Sequence, residues 1–266
     1  MNKIAAIQLC STRVIDDNLA TLAGLIADAA DKGAQLVVLP EMFACFGQDP
    51  SHILLLKEQP GAGKIQDFLA DIALKYNLWI VGGTLPLRGD HPHKFRAACL
   101  IFDNQGNQVA RYDKIHLFDA QLSAHESYQE SATTQPGQHL TVVDTPVGKL
   151  GVCVCFDIRF PTHCIELASR GAEIIAIPAA FTLTTGQAHW ETLIRCRALD
   201  SFCYMVGACQ GGTHDTGRQT FGHAMIVDPW GTILDQVINP ASPIAYADID
   251  LAFLYQVRDK IPRIAM

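Results

Sequence analysis

Three side chains that could together cleave an amide each follow a separate apolar run of the chain. Glu41 follows Leu36–Pro40, Lys114 follows a run that ends at Asp113, and Cys155 ends the run that begins at Gly151. A thiolate is a strong nucleophile, a carboxylate can carry its proton, and an ammonium can stabilise an oxyanion. Because short apolar runs predict buried strands, we expect each group at a strand end that faces a cleft.

The stretch from Gly151 to Pro161 contains the candidate nucleophile. It reads GVCVCFDIRFP, so a β-prone run ends at Cys155 and is then broken by charged residues and a proline before a helical segment. A cysteine in an apolar run is by itself more often a packed core residue than a nucleophile. With a carboxylate at Glu41 and an ammonium at Lys114, a nucleophile becomes the favoured interpretation of Cys155. We expect Asp157 and Arg159 to form an ion pair that fixes the turn.

The segments LPEMF, KIHLFD and CFDIRFP resemble the motifs of the nitrilase, or carbon-nitrogen hydrolase, superfamily. They stand in the same order as in that family and at comparable spacing, and the resemblance extends from Ile4 to Leu251. It implies that Cys155 is the nucleophile and that Glu41 moves the protons. It also implies that Lys114 holds the oxyanion, together with a backbone N–H that would be that of Phe156.

Further site residues are assigned through the same resemblance. Glu130 lies sixteen residues after Lys114, where many family members have a second catalytic carboxylate that positions the lysine and the substrate. A solvated loop glutamate is the alternative. Phe156, Phe181 and Thr182 are expected to bind substrate, although the segment from Phe181 could instead be a loop scaffold. The phenylalanine at 156 replaces a tyrosine that is common in the family.

A second cysteine, Cys153, lies two residues before Cys155. The family usually has a small residue there, so this thiol could lie near the nucleophile and act as a redox switch. Inert packing is the interpretation we favour. The pair lacks a second Cys or His pair at zinc spacing, and we predict neither a metal nor a cofactor.

Two segments of the chain resemble each other and predict its fold. GAQLVVLPEMF at 33–43 and GAEIIAIPAAF at 171–181 are each preceded by a strand and a helix, and a strand and a hairpin follow later. We therefore predict an α/β fold of two β-α-β-α-β-β units related by a pseudo-twofold axis. Their sheets pack face to face in a four-layer α-β-β-α sandwich, the fold that the resemblance also implies. Residues 1–266 are predicted to form one domain.

Composition narrows the range of functions. With 49% hydrophobic and 18% charged residues among 266, the chain can bury an extensive core, which favours a compact enzyme. A net charge of −7 argues against binding of nucleic acid, and no apolar run is long enough to cross a membrane. The N-terminus has no long apolar segment of a signal peptide, and nine cysteines are scattered through apolar runs. We therefore expect reduced thiols and a cytoplasmic location.

Within the superfamily, KIHLFD, AHWETL and FGHAMIVDPWG look most like the Nit branch. The resemblance implies an amidase that cleaves deaminated glutathione, a 2-oxoglutaryl amide of Cys-Gly, to 2-oxoglutarate and cysteinylglycine. Omega-amidase activity on α-ketoglutaramate is the alternative, and Arg218 and Arg195 are candidates for binding substrate carboxylates. A homodimer is implied as well. Two other classes are alternatives, a catalytically silent binding protein on the same fold and a thiol-redox protein. The sequence has no Cys-x-x-Cys pair, which argues against the thiol-redox protein.

Overall fold

The computed structural model describes residues 2–47, 50–124 and 126–261, in which strands and helices alternate along the chain. The strands are β1 (Lys3–Leu9), β2 (Leu36–Val38), β3 (Trp79–Val81), β4 (Leu85–Arg88), β5 (Phe95–Phe102), β6 (Gln108–Asp113), β7 (Asp119–Gln121), β8 (Ser127–Gln129), β9 (Val142–Thr145), β10 (Gly148–Val152), β11 (Ile174–Ala179), β12 (Tyr204–Thr213), β13 (Gln219–Phe221), β14 (Met225–Val227), β15 (Ile233–Gln236) and β16 (Ile244–Asp248). The α-helices are α1 (Ile15–Asp31), α2 (Pro50–Leu55), α3 (Lys64–Tyr76), α4 (Pro161–Ser169), α5 (Leu183–Ser201) and α6 (Leu251–Lys260). Short 3₁₀ turns cover Glu130–Ala132 and Cys155–Arg159.

The two halves of the chain repeat one strand arrangement. In the first half β1, β2 and β3 are parallel neighbours, and β5 and β6 form the following hairpin. In the second half β10, β11 and β12 are parallel neighbours, and β14 and β15 form the hairpin. The helices α1 and α3 connect the first set, as α4 and α5 connect the second. The predicted pair of β-α units is therefore present, and each is followed by a hairpin, with turns at 103–106 and 228–231.

The two halves are joined edge to edge as well as packed together. Gln8 and Leu9 at the end of β1 pair with Cys209 and Gln210 of β12, which makes one continuous, curled sheet. The sequence predicted two separate sheets. The join arises because β1 and β12 extend further than the strands beside them.

Side-chain alternation along β1 sets the order of the layers. Ala5 and Ile7 pack with buried residues of α1 and α3, such as Leu22 and Leu69. Ile4 and its same-face neighbours on β2 and β3 pack with residues of the second half's sheet. Because neighbouring strand residues point to opposite faces, each sheet is covered by helices on one side and by the other sheet on the second. This is the predicted four-layer α-β-β-α sandwich.

One predicted boundary near the site is wrong. The strand that was expected to run to Cys155 ends at Val152, and Cys155 itself adopts a left-handed backbone conformation with φ 47°. The helix α5 begins at Leu183, where Thr182 Oγ1 accepts a hydrogen bond from Thr185 N over 3.2 Å and so caps the first turn.

Among the described residues, none of the helices has both the length and the apolar character that a membrane crossing requires.

Candidate active site

A cavity of about 690 Å³ opens at the seam between the two halves. All four predicted catalytic residues line it, namely Glu41, Lys114, Glu130 and Cys155. Glu41 follows β2 of the first half and Cys155 follows β10 of the second, so the cavity receives its carboxylate and its thiol from different halves. The volume is sufficient for a small molecule.

Lys114 is held between two carboxylates at the floor of this cavity. Its Nζ lies 2.8 Å from Glu41 Oε1 and 2.9 Å from Glu130 Oε2, and its side chain is 2% exposed. Burial alone would lower the pKa of Lys114, but the charges of Glu130 and Glu41 hold it well above its usual value. The residue is therefore a permanent, fixed cation. Glu130 also accepts a hydrogen bond from Phe118 N over 2.6 Å. Burial, followed by the nearby charge of Glu41, raises the pKa of Glu130 although Lys114 opposes this.

The backbone around Glu41 is fixed by residues from three segments. Met42 has φ 56°, and its N–H donates to Thr84 Oγ1 over 2.9 Å. The carbonyl of Glu41 accepts from Gln210 Nε2 over 3.1 Å, and Gln210 in turn bonds Ser11. A left-handed residue other than glycine stores strain that the surroundings must offset, and these bonds do so. The carboxylate is thereby held facing Lys114.

Cys155 starts a 3₁₀ turn, with its backbone in the left-handed region directly after the buried Val154. This geometry lifts the thiol out of the sheet and against the cavity. Burial is the main reason that the pKa of the Cys155 thiol lies well above its usual value, and the charge of Glu41 adds to it while Lys114 opposes it. The resting thiol is therefore protonated near neutral pH, and its reaction requires a base.

The turn after Cys155 is fixed by Asp157, but not through the predicted ion pair with Arg159. The Asp157 carboxylate accepts from Tyr112 Oη at 2.7 Å, from Val154 N at 2.8 Å and from both the N–H and Nδ1 of His116. Although burial opposes it, these hydrogen bonds and the charge of His163 hold the pKa of Asp157 below its ordinary value.

Arg159 points away from Asp157. Its Nη2 lies 3.2 Å from His189 Nδ1, and its guanidinium rests near the rings of Phe156 and Phe181. The ion pair was predicted from closeness in sequence. The 3₁₀ turn separates the two side chains.

His116, Asp157 and His163 bring three possible metal-ligand atoms within 4.8 Å of one another. The donor set is better satisfied by hydrogen bonds. Each oxygen of Asp157 already accepts two, and His163 Nε2 lies 3.0 Å from the carbonyl of Val152. The cluster therefore serves as a support for the turn that presents Cys155.

The three predicted substrate-binding residues lie beside Cys155 but outside the main cavity. Phe156, Phe181 and Thr182 line a narrow recess that adjoins the main cavity at Cys155, and Arg159 lines it as well. The hydroxyl of Thr182 is used in capping α5. Sequence reasoning placed this segment in a pocket-lining loop, whereas it forms the start of a helix.

The remaining cysteine near the nucleophile is buried. Cys153 is 0% exposed and its pKa is held well above its usual value, first by burial and then by the neighbouring thiol of Cys164. This environment is that of an inert, packed residue, the interpretation favoured from the sequence.

Tyr112 and Tyr128 are among the residues of the site that sequence reasoning missed. Tyr112 supports Asp157 from β6, and Tyr128 of β8 lines the main cavity. Tyr112 lies two residues before Lys114, and Tyr128 two before Glu130. Because side chains two apart on a strand share a face, that spacing was the available signal.

Known proteins resemble this chain over nearly its whole length. A family model described as carbon-nitrogen hydrolase matches residues 3–259. Deaminated glutathione amidase of Yersinia enterocolitica is 42% identical over 261 residues, which cover 97% of this chain and 90% of that protein. The human protein of the same name is 39% identical, over 97% of this chain and 80% of its own length. The crystal structure of Saccharomyces cerevisiae Nit3, a member of branch 10 of the nitrilase superfamily, superposes with a TM-score of 0.88 at 29% identity, covering 100% of this chain and 96% of that one.

The sandwich fold and the match over residues 3–259 define a hydrolase of carbon–nitrogen bonds. The chain belongs to the carbon-nitrogen hydrolase family, in its Nit branch, and it is an amidase.

Proposed function

We propose that this amidase hydrolyses deaminated glutathione to 2-oxoglutarate and cysteinylglycine through a thioester on Cys155. The observation that carries the mechanism is the position of Lys114 Nζ, which lies 2.8 Å from Glu41 in the wall of the cavity that Cys155 lines. One buried cation and one carboxylate thereby adjoin the thiol. The names of the relatives support the choice of substrate.

In the first half of the reaction, Glu41 accepts the thiol proton as Cys155 Sγ attacks the amide carbon. The oxygen becomes an anion that Lys114 Nζ and the N–H of Phe156 stabilise. The C–N bond then breaks, its electrons go to nitrogen, and Glu41 returns the proton so that cysteinylglycine leaves as an amine.

In the second half, Glu41 removes a proton from water while the water oxygen attacks the thioester carbon. The C–S bond breaks, the proton passes to sulfur, and 2-oxoglutarate leaves with the free thiol restored. Glu130 keeps Lys114 in position through both halves, since its carboxylate lies 2.9 Å from Nζ while Glu41 lies 2.8 Å from the same atom.

The test compares product formation from deaminated glutathione and from α-ketoglutaramate, with Cys155→Ala beside the wild type. We expect a strong preference for deaminated glutathione that is lost in the variant. Preference for α-ketoglutaramate would keep the mechanism and replace the substrate. Turnover that survives in Cys155→Ala would refute the mechanism, and mass spectrometry of a trapped acyl-enzyme would locate the nucleophile.

The active form is proposed to be a homodimer of one-domain chains in the cytoplasm, acting in metabolite repair. The family match over residues 3–259 supports the single domain, and the absence of disulfides among the described cysteines supports the cytoplasmic location. The homodimer is proposed from the resemblance of the sequence to the superfamily. Light scattering of the purified protein tests the dimer, because a monomer at micromolar concentration would contradict it.

A further inference from the structure

Of the two cations that line the main cavity, only Arg218 has no carboxylate partner among the described residues. Lys114 is neutralised by Glu41 and Glu130. The Nε of Arg218 is buried and has no hydrogen-bond partner. A buried donor of a charged group that is left unpaired costs free energy, which a bound anion would recover.

Two acidic residues near Arg218 have other partners. Glu126 accepts a hydrogen bond from Tyr128 Oη over 3.0 Å, and Asp215 pairs with Arg13 over 3.0 Å. The cation is therefore left available to a ligand in the cavity.

Two aromatic rings fix the plane of the Arg218 guanidinium. Its Cζ lies 4.8 Å from the ring centroid of Phe46 and 4.9 Å from that of Tyr128. A guanidinium packed against rings directs its N–H groups outward along its edge, where they match the two oxygens of a carboxylate. The Arg218 guanidinium also interacts with the Tyr128 hydroxyl, and its Nε remains without a partner. The arrangement is suited to a bidentate contact with an anionic ligand.

The loop that presents Arg218 is itself anchored in the protein. It spans 214–218 between β12 and β13, and His214 N donates to the carbonyl of Arg218 over 2.9 Å. The His214 ring is buried, stacks on Phe46 with centroids 3.8 Å apart, and bonds Ser11 O and Thr220 Oγ1. Arg218 is thus placed by a rigid loop, as a selective site requires.

The position of Glu41 indicates which part of a substrate reaches Arg218. In the proposed reaction Glu41 protonates the leaving nitrogen, so the leaving group must lie on the Glu41 side of Cys155. Glu41, Cys155 and Arg218 line the same cavity, whereas neither Glu41 nor Arg218 lines the recess with Phe156. We infer that Arg218 is a specificity-determining residue that binds a carboxylate on the leaving amine, which in deaminated glutathione is the terminal carboxylate of glycine. This inference rests on the proposed function.

The structure also separates Arg218 from Arg195, the other candidate from the sequence. Arg195 lies on the outer face of α5, where its Nε donates to Gly231 O over 2.9 Å and its Nη1 lies 3.4 Å from Glu191. It lines neither the main cavity nor the recess. Arg195→Leu is therefore a matched control that removes the same charge from the same protein.

The experiment uses two amides that differ only in the leaving group's charge, deaminated glutathione and its C-terminal carboxamide. We expect the wild type to favour the free acid in kcat/KM by about 10- to 100-fold, the range of a hydrogen-bonded charge pair. Arg218→Leu should reduce that ratio to about one, mainly through KM, because the contact is present before and during the chemical step. Arg218→Lys should retain part of the ratio, and Arg195→Leu all of it.

A ratio that persists in Arg218→Leu would overturn the inference, and so would an equal loss on both amides. If the wild type hydrolyses neither amide, the proposed function fails, and a binding measurement then decides the role of Arg218 separately. Calorimetric titration with cysteinylglycine and cysteinylglycinamide should show tighter binding of the free acid in the wild type. That preference should vanish in Arg218→Leu, and equal binding of both ligands by the wild type would refute the site.

Discussion

Lys114 Nζ and Glu41 Oε1 lie 2.8 Å apart although 73 residues separate them in the chain. The lysine follows β6 at one end of the first half's sheet, and the glutamate follows β2 in its middle. Both side chains are almost fully buried, so their charges interact with little screening by solvent. In the proposed mechanism this contact ties the oxyanion stabiliser to the proton carrier.

Replacement of Lys114 by Met should lower kcat/KM for the amide substrate by at least about 10²- to 10³-fold, because one oxyanion donor is lost. It also leaves two buried carboxylates next to each other without a cation, so the free energy of unfolding should fall as well. Initial rates and chemical denaturation measure the two effects. Lys149→Met, which removes an exposed lysine 3.9 Å from Asp144, is the control and should change neither. An active Lys114→Met enzyme would remove the lysine from the mechanism.

The Cys155 thiol should titrate at a higher pH than an ordinary cysteine, because burial raises its pKa. The signal is the ultraviolet absorbance of the thiolate, recorded as the difference between the wild type and Cys155→Ala across an alkaline titration. Burial and the charge of Glu41 both favour the protonated thiol, so Glu41→Gln should move this titration to lower pH even as turnover is lost. A thiolate already formed at neutral pH in the wild type would contradict the requirement for a base.

Asp157→Asn should lower the free energy of unfolding by roughly 3 kcal/mol, since it removes one partner of a buried, charge-assisted network. The pKa of Asp157 is depressed in the folded protein, so its contribution is complete above the unfolded value near 3.8 and is lost as pH falls through the folded value. The stability difference between wild type and variant should therefore shrink below about pH 3.8. Denaturation measured at neutral and acidic pH tests this, and a difference that stays constant with pH would show that Asp157 acts through packing alone.

Two glycines should respond to alanine in opposite directions. At Gly207 of β12 a Cβ would lie 2.6 Å from Trp190 Cζ2, so Gly207→Ala should destabilise the protein by about 1–3 kcal/mol through overpacking. At Gly24 in α1 a Cβ meets nothing within 4 Å, and Gly24→Ala should stabilise by roughly 0.5–1 kcal/mol through helix propensity. Thermal denaturation of both variants tests this: the melting temperature should fall for Gly207→Ala and rise for Gly24→Ala. Equal shifts of the two melting temperatures would contradict the packing of α5 on β12.

The fold and the grouping of Glu41, Lys114 and Cys155 could be predicted because each residue follows an apolar run and stands in a motif that resembles the carbon-nitrogen hydrolase superfamily. The ends of neighbouring strands lie at the same edge of a sheet, so residues that follow them come close together regardless of the conformation of the loops. The choice between Arg218 and Arg195 could not be made in this way, since it depends on a loop fixed by the burial of His214. That Thr182 caps α5 was not predicted for a related reason, because a hydroxyl that caps a helix and one that lines a pocket look alike in a sequence.

The short pairing of β1 with β12 has a consequence for how the protein would respond to stress. Glu41 and Cys155 belong to different halves. Those halves are joined along the sheet by the pairing of Gln8 with Cys209 and of Leu9 with Gln210. A small shift in this pairing would move the Glu41 carboxylate away from the Cys155 thiol, while the helices of each half stayed packed on their own sheet. Turnover would then be lost before the circular dichroism signal of the helices changes. Enzyme activity would therefore report the relative position of the two halves.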